Sequence, residues 1–280
     1  MTATALSPNR IVPLALSLLF SQCGFPETSH SYFLSVHQLA SELDIGNQNE
    51  SYRETRWRIG AGEQQTPRWQ FQHDYRIFEL PSVDGVVAAS NGHLHALSWQ
   101  WHFALENWQV TLTPTLATSS NALRHLKEVE LDDWQANFAL LYPYKHMKFG
   151  IAAGSQFGRY RPHPVWQWHL HHNDWSVTLG FPENAVRWSL NEFWQWHLRL
   201  FPDGGQWRVR DEQLTITSDL EQRRWRLELG LTWQWENIEI GGHIIRHMEQ
   251  RWRYRLMDNR INEIDIPDST ALAVEFNWGF

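Results

Sequence analysis

The chain has 280 residues, a formal charge of −7 and 18 tryptophans, yet it is hydrophilic on average. Aromatics this abundant without long apolar blocks mean that apolar and polar residues are finely interleaved. Past the N-terminus no run approaches the roughly 20 apolar residues of a membrane-spanning helix, and the acidic balance argues against a nucleic-acid partner, which would need a basic face.

Residues 1–23 read as a cleaved signal peptide: a short region carrying only Arg10, the apolar "IVPLALSLLF", then small residues, with Ser21 and Cys23 suited to the positions before cleavage. Cleavage there removes the only cysteine, and with it disulfide and thiol chemistry. Residues 24–53 form an N-terminal segment that serves as a plug or as a first strand near 32–46, where alternation is poor. Residues 54–280 repeat one grammar, an alternating segment of some ten residues followed by a break.

The alternation is clearest in "RRWRLELGLTWQWEN". Trp225, Leu227, Leu229, Leu231, Trp233 and Trp235 fall on one face of a strand, whereas a helix would scatter them around its circumference. Segments around Trp99, Trp108, Phe138, Trp166 and Trp196 repeat the pattern, and Pro114 implies a bulge or local loss of pairing in one of them. The breaks alternate between tight ones, such as Glu106–Asn107, His172–Asp174 and Glu236–Asn237, and longer polar ones, such as 80–92, 118–132, 202–222 and 250–269. Short, long, short, long is the rhythm of an outer-membrane barrel with short periplasmic turns and longer external loops. The short break at Pro182–Asn184 stands where a longer one belongs.

Counting back from the last segment gives thirteen strands. Bacterial single-chain barrels have even numbers, so the 32–46 strand makes fourteen; misreading 174–190 would leave twelve. The expected fold is an all-β, up-and-down antiparallel transmembrane barrel of 12–14 strands, fourteen rather than twelve. A two-residue turn at Glu236–Asn237 sets Trp235 opposite Ile238, Trp233 opposite Ile240, Leu229 opposite Ile244, Gln234 opposite Glu239, Arg226 opposite His247 and Arg224 opposite Glu249.

The closing "ALAVEFNWGF" puts Leu272, Val274, Phe276, Trp278 and Phe280 on one face, expected to meet lipid. This ending resembles the C-terminal signal by which bacterial outer-membrane barrels are recognised by the barrel assembly machinery. The stretch "PHPVWQWHLHHNDWSVTLGFPENAVRWSL" is similar to the central part of an uncharacterised family of outer-membrane barrels, defined only as a domain of unknown function. The resemblance implies insertion in the bacterial outer membrane with both termini periplasmic, and it brings no activity.

Fifteen histidines invite a catalytic or metal reading. The densest group, His169, His171, His172 and Asp174, falls at a turn and reads as solvated. No local motif joins a nucleophile to a base and its orienter, so neither an enzyme nor a cofactor is expected. The residues expected to line the lumen are Arg56, Arg58, Gln167, His169, His197, Arg199, Arg224, Arg226, Glu228, Glu239, His247 and Glu249. Guanidiniums with carboxylates suit either a charged constriction that selects small polar solutes or a salt-bridged closure. The two leading expectations are a narrow pore or transporter, and a closed structural or interaction barrel with 202–222 and 250–268 as contact loops; an outer-membrane hydrolase ranks behind both.

Overall fold

A computed structural model of the chain describes residues 30–45, 48–63, 69–79, 91–125, 129–210, 217–255 and 261–279. The expected signal peptide and Phe280 lie outside them. The strands are β1 (His30–Ile45), β2 (Gln48–Glu63), β3 (Trp69–Glu79), β4 (Asn91–Leu105), β5 (Trp108–Ser119), β6 (Trp134–Tyr144), β7 (Met147–Gly154) and β8 (Arg161–His172). They continue as β9 (Trp175–Phe181), β10 (Asn184–Ser189), β11 (Trp194–Pro202), β12 (Gly205–Arg210), β13 (Thr217–Trp235), β14 (Ile238–Arg255), β15 (Ile261–Ile266) and β16 (Ser269–Gly279). Among the described residues, an α-helix, α1 (Ser120–Arg124), and a 3-10 turn (Leu131–Asp133) lie between β5 and β6.

Neighbouring strands pair antiparallel from β1 through β11, β11 pairs with β13, β13 with β14, and β14 with β16. Closure comes from β1 against β16, in a register running from Ser31↔Gly279 to Leu39↔Ala271. The wall is therefore a closed barrel of fourteen strands, with β12 and β15 added at one end. The expected hairpin register holds from Trp235↔Ile238 to Arg226↔His247. Pro114 acts as its chemistry requires: without an amide hydrogen it breaks the β4–β5 pairing between Ser98↔Thr115 and Trp101↔Leu112 while the register is kept. The two-residue link between β9 and β10 preserves strand parity despite its length.

Alternation explains which face meets lipid. Along β13, Arg224, Arg226, Glu228, Gly230 and Thr232 are buried inside, while Leu229 and Trp235 are 41% and 52% exposed outside. On β16, Leu272 and Val274 are 66% and 60% exposed while Ala271 and Ala273 are buried, and Phe276 and Trp278 are half-buried. The apolar outer column of β13 runs from Trp225 to Trp235. At about 3.3 Å per residue and a strand tilt near 40° that column stands about 25 Å tall, the height of a membrane barrel's apolar band. Replacing Leu229, halfway up it, by arginine is expected to cost about 2–4 kcal/mol, read as a lower urea midpoint for the refolded barrel, because the charge would enter hydrocarbon.

The wall is uneven. β13 and β14 have 19 and 18 residues, whereas β7, β9 and β10 have 8, 7 and 6. At the end away from the tight turns, β12 folds inward across the low side. It pairs with the upper half of β13, from Gly205↔Gln222 to Arg210↔Thr217, and with β5 in parallel at Arg208↔Thr118. Thr118 Oγ1 donates to the Arg208 carbonyl at 3.0 Å, and Asn121 Nδ2 to that of Arg210 at 3.1 Å. Trp207, Val209, Leu220, Leu94, Trp252 and Tyr254 pack together beneath this crossing as an apolar core inside the barrel.

The structure corrects one expected pair. A bulge shifts the β13–β14 register between Arg223↔Arg251 and Trp225↔Met248, with Glu249 at φ 50°. The extra residue turns the Glu249 side chain outward, 68% exposed and 3.9 Å from Arg223, so it neither lines the lumen nor faces Arg224. Beyond the bulge the parity reverses, and Gln250, Trp252 and Tyr254 point inward in place of three charged neighbours.

Candidate functional site

The inward faces of β2, β3 and β13 carry residues of opposite charge at one height, and the first residue past β11 joins them. Arg224 grips Glu54 with two bonds, Nη1 to Oε2 at 2.6 Å and Nη2 to Oε1 at 3.0 Å, and reaches Asp203 Oδ2 with Nη2 at 2.9 Å. Arg56 donates from Nη1 to Asp203 Oδ1 at 2.8 Å and from Nε to both Asp74 oxygens at 3.0 and 2.9 Å. Arg76 contacts Asp74 at 3.3 Å, donates to Gln222 and lies 4.7 Å over the Trp207 ring, while Gln222 Nε2 donates to Glu54 Oε2 at 3.1 Å. Three carboxylates thus meet three guanidiniums. Because β2 and β13 are not neighbours in the wall, the bonds from Arg224 and Gln222 to Glu54 cross the lumen.

Asp203 is the hinge of this arrangement. Its amide donates to the Arg224 carbonyl at 3.0 Å, and the amide of Gly204 donates to that of Gln156 at 2.8 Å, which fixes the chain as it turns inward toward β12. Burial pushes the Asp203 carboxyl up, but Arg56 and Arg224 outweigh it and hold it well below the usual carboxylate range.

Nearer the tight turns, Arg226 pairs with Glu228 Oε2, and the other oxygen of Glu228 lies 3.1 Å from His197 Nε2 and 3.2 Å from His243 Nδ1. His247 Nε2 and His37 Nε2 are 3.1 Å apart. On the opposite side, a cavity of about 340 Å³ runs beside Arg56, Asp74 and Arg76 along Ser98, Thr113, Asn137 and Ala152 to Gly204 and Trp207. One flank of the lumen is therefore packed and charged, the other hollow and mostly neutral.

Of the residues expected at the site, Arg56, Arg224, Arg226, Glu228, His197 and His247 come together in this band. Arg58 is 3.8 Å from Glu275, and Glu239 accepts from Asn277 at 3.2 Å, nearer the tight-turn end. His169 bonds Thr178 at 3.0 Å, Arg199 bonds Glu183 at 2.9 Å, and Gln167 is half-buried on β8. Gln167, His169 and Glu239 keep to the inner face apart from the band, while Arg58 and Arg199 border it, opposite Asp74 and Glu228 in the strand registers. Sequence reasoning missed Glu54, Asp74, Arg76, Asp203 and Gln222. The alternation of β2 and β3 already placed the first three on the inner side; Asp74 meets Arg56 and Arg76 on the same two strands, but Glu54 and Arg76 reach Arg224 and Gln222 more than a hundred residues away.

A closed antiparallel barrel with an apolar outer band and a charged interior defines an integral membrane β-barrel. Among solved structures it is similar to an outer membrane channel of Pseudomonas putida F1, at 7% identity over 93% of this chain and 100% of that one, with a TM-score of 0.40. It is also similar to OccK1 (OpdK) of Pseudomonas aeruginosa, at 8% identity over 92% and 100% of the two chains and a TM-score of 0.31. OmpT, an outer membrane protein of Vibrio cholerae, matches at 7% identity over 90% and 99%, with a TM-score of 0.33. No family model and no curated protein matches the chain. The assignment to the barrel class rests on the strand pairing and the lipid-facing band.

Proposed function

We propose that this protein is a narrow outer-membrane pore for small polar solutes, with its tight turns and both chain ends on the periplasmic side and the barrel assembly machinery as its insertion partner. The observation that carries the reading is the cavity beside the charged band. Solutes on that path pass hydroxyl and amide groups of β4–β6 on one side and the Arg56–Asp74–Arg76 cluster on the other, a pairing that suits small molecules with both charged and polar groups. The inward fold of β12 makes the passage narrow. What supports this orientation is that β1 begins and β16 ends at the tight-turn end, the end that outer-membrane barrels turn to the periplasm.

Planar-bilayer recordings of the purified protein test this reading. Discrete unitary steps support it, and persistent silence from a barrel that is heat-modifiable on a gel overturns it. Ala152→Trp, which fills the cavity from β7, is expected to lower the unitary conductance about twofold or more, since conduction follows pore diameter. A closed barrel with a structural or interaction role is the second reading. What favours it is the apolar core of Trp207, Leu220, Trp252 and Tyr254 under the β12 crossing.

A further inference from the structure

We propose that His197, Glu228 and His243 form a binding site for one divalent transition-metal ion of the zinc type. The three residues come from the adjacent strands β11, β13 and β14, and the register places them. His197 pairs with Gly230, and Gly230 pairs with His243, so the two imidazoles flank a position that has no side chain. A Cβ at Gly230 would lie 2.2 Å from His197 Cε1 and 2.7 Å from His243 Nδ1, so only glycine leaves the space into which both rings lean. Glu228 sits two residues earlier on the same inner face and directs Oε1 at both of them.

The spacing fits coordination. Oε1 is 3.1 Å from His197 Nε2 and 3.2 Å from His243 Nδ1, and one donor atom from each residue falls within 4.8 Å of the others. Ligands at about 2.0–2.1 Å around a tetrahedral zinc ion stand about 3.3 Å apart, so small side-chain movements bring the set to bonding geometry. Two imidazoles and one carboxylate are a donor set suited to zinc, cobalt or copper, and they leave a fourth position for water or a solute group.

A second observation points to a ligand. His243 is 8% exposed; its Nε2 has no hydrogen-bond partner and its Nδ1 has the 3.2 Å contact with Glu228 Oε1, although buried polar atoms are almost always satisfied. Around it the chain gives room: Gly241 as well as Gly230 faces the ring, and a Cβ at Gly241 would lie 2.7 Å from His243 Nε2. Arg226 meanwhile holds Glu228 Oε2, which orients the carboxylate so that Oε1 faces the imidazoles.

The probe is Co²⁺, titrated into the refolded, chelator-stripped full chain in detergent. The expected result is saturation at one equivalent, with the visible absorption bands of a four- or five-coordinate site, discharged by Zn²⁺. His197→Gln and His243→Gln are each expected to weaken binding by more than about 100-fold, exceeding the roughly 10–100-fold that loss of an outer partner costs. Glu228→Gln keeps the shape and the hydrogen-bonding capacity and is expected to lose the same spectrum, so the test stands if a histidine variant does not fold. Heat-modifiable mobility identifies the folded variants. Absence of saturable binding overturns the proposal, as does binding that survives in folded Glu228→Gln or that disappears only with His171→Ala and His172→Ala at the β8–β9 turn. None of these readouts depends on conductance, so the site stands or falls separately from the pore.

Discussion

Replacing Arg224 with alanine is expected to lower the stability of the folded barrel by about 3–5 kcal/mol, the range for removing one partner of a buried ion pair. The Arg224 and Glu54 side chains are inaccessible to solvent, and that of Asp203 is 8% exposed. The truncation removes two bonds to Glu54 and the link from β13 to the chain entering β12, in surroundings where water cannot replace them. Arg224→Lys keeps the charge but not the two-pronged geometry, so its midpoint is expected between alanine and wild type. Arg223, one residue away, is 52% exposed and 3.9 Å from Glu249, and its alanine variant should shift stability by about 1 kcal/mol or less. Urea titration of the refolded protein, followed by tryptophan fluorescence, separates the two, and equal midpoints for the Arg223 and Arg224 variants would refute the cross-lumen brace.

The strands were legible because a period of two survives any tertiary context: what faces lipid must be apolar and what faces the lumen tends to be polar. Trp225 to Trp235 against Arg224 to Gln234 is a complete statement of one wall strand, and the tight Glu236–Asn237 turn carried the register as far as Arg226 and His247. It failed beyond them for a local reason. In "RHMEQRWRYR" the bulge falls among His247, Met248, Glu249, Gln250 and Arg251, where Met248 alone is apolar, so the inserted residue leaves little mark at the bulge itself and continuing the alternation puts Glu249 inward. The reversed parity was still visible in Trp252 and Tyr254, which sit between arginines.

The crossing strand was hidden for a different reason. "FPDGGQWRVR" has the proline, aspartate and glycines of a loop, and only Trp207 and Val209 between arginines hint at a strand. Nothing in local spacing says that such a segment will turn into the barrel and meet β5. That contact, and the bonds from Asp203 to Arg56 and Arg224, depend on the short wall from β6 to β11, which lowers one side and lets the chain fold over it. Glu54 and Gln222 were correspondingly unremarkable in the sequence. Their importance lies in who stands across the lumen.

Asp203→Asn and Trp207→Ala are expected to change conduction in distinguishable ways, because one alters the charge of the constriction and the other its width. With three carboxylates against three guanidiniums the central cluster is balanced. Asparagine at 203 keeps the shape and leaves one positive charge in excess, so the reversal potential in a salt gradient is expected to move toward anion selectivity. Trp207 is 3% exposed, packed against Trp252 at 6.2 Å and beneath Arg76. Its truncation empties a large volume in the inner core, costs about 3–5 kcal/mol of stability, and removes the ring that holds β12 over the lumen. The unitary conductance should rise several-fold while selectivity shifts little. Asp268→Asn supplies the control, since its carboxylate is 46% exposed beside Arg246 on the outside. If the inner variants conduct and select as this outer one does, neither Asp203 nor the β12 crossing shapes the passage.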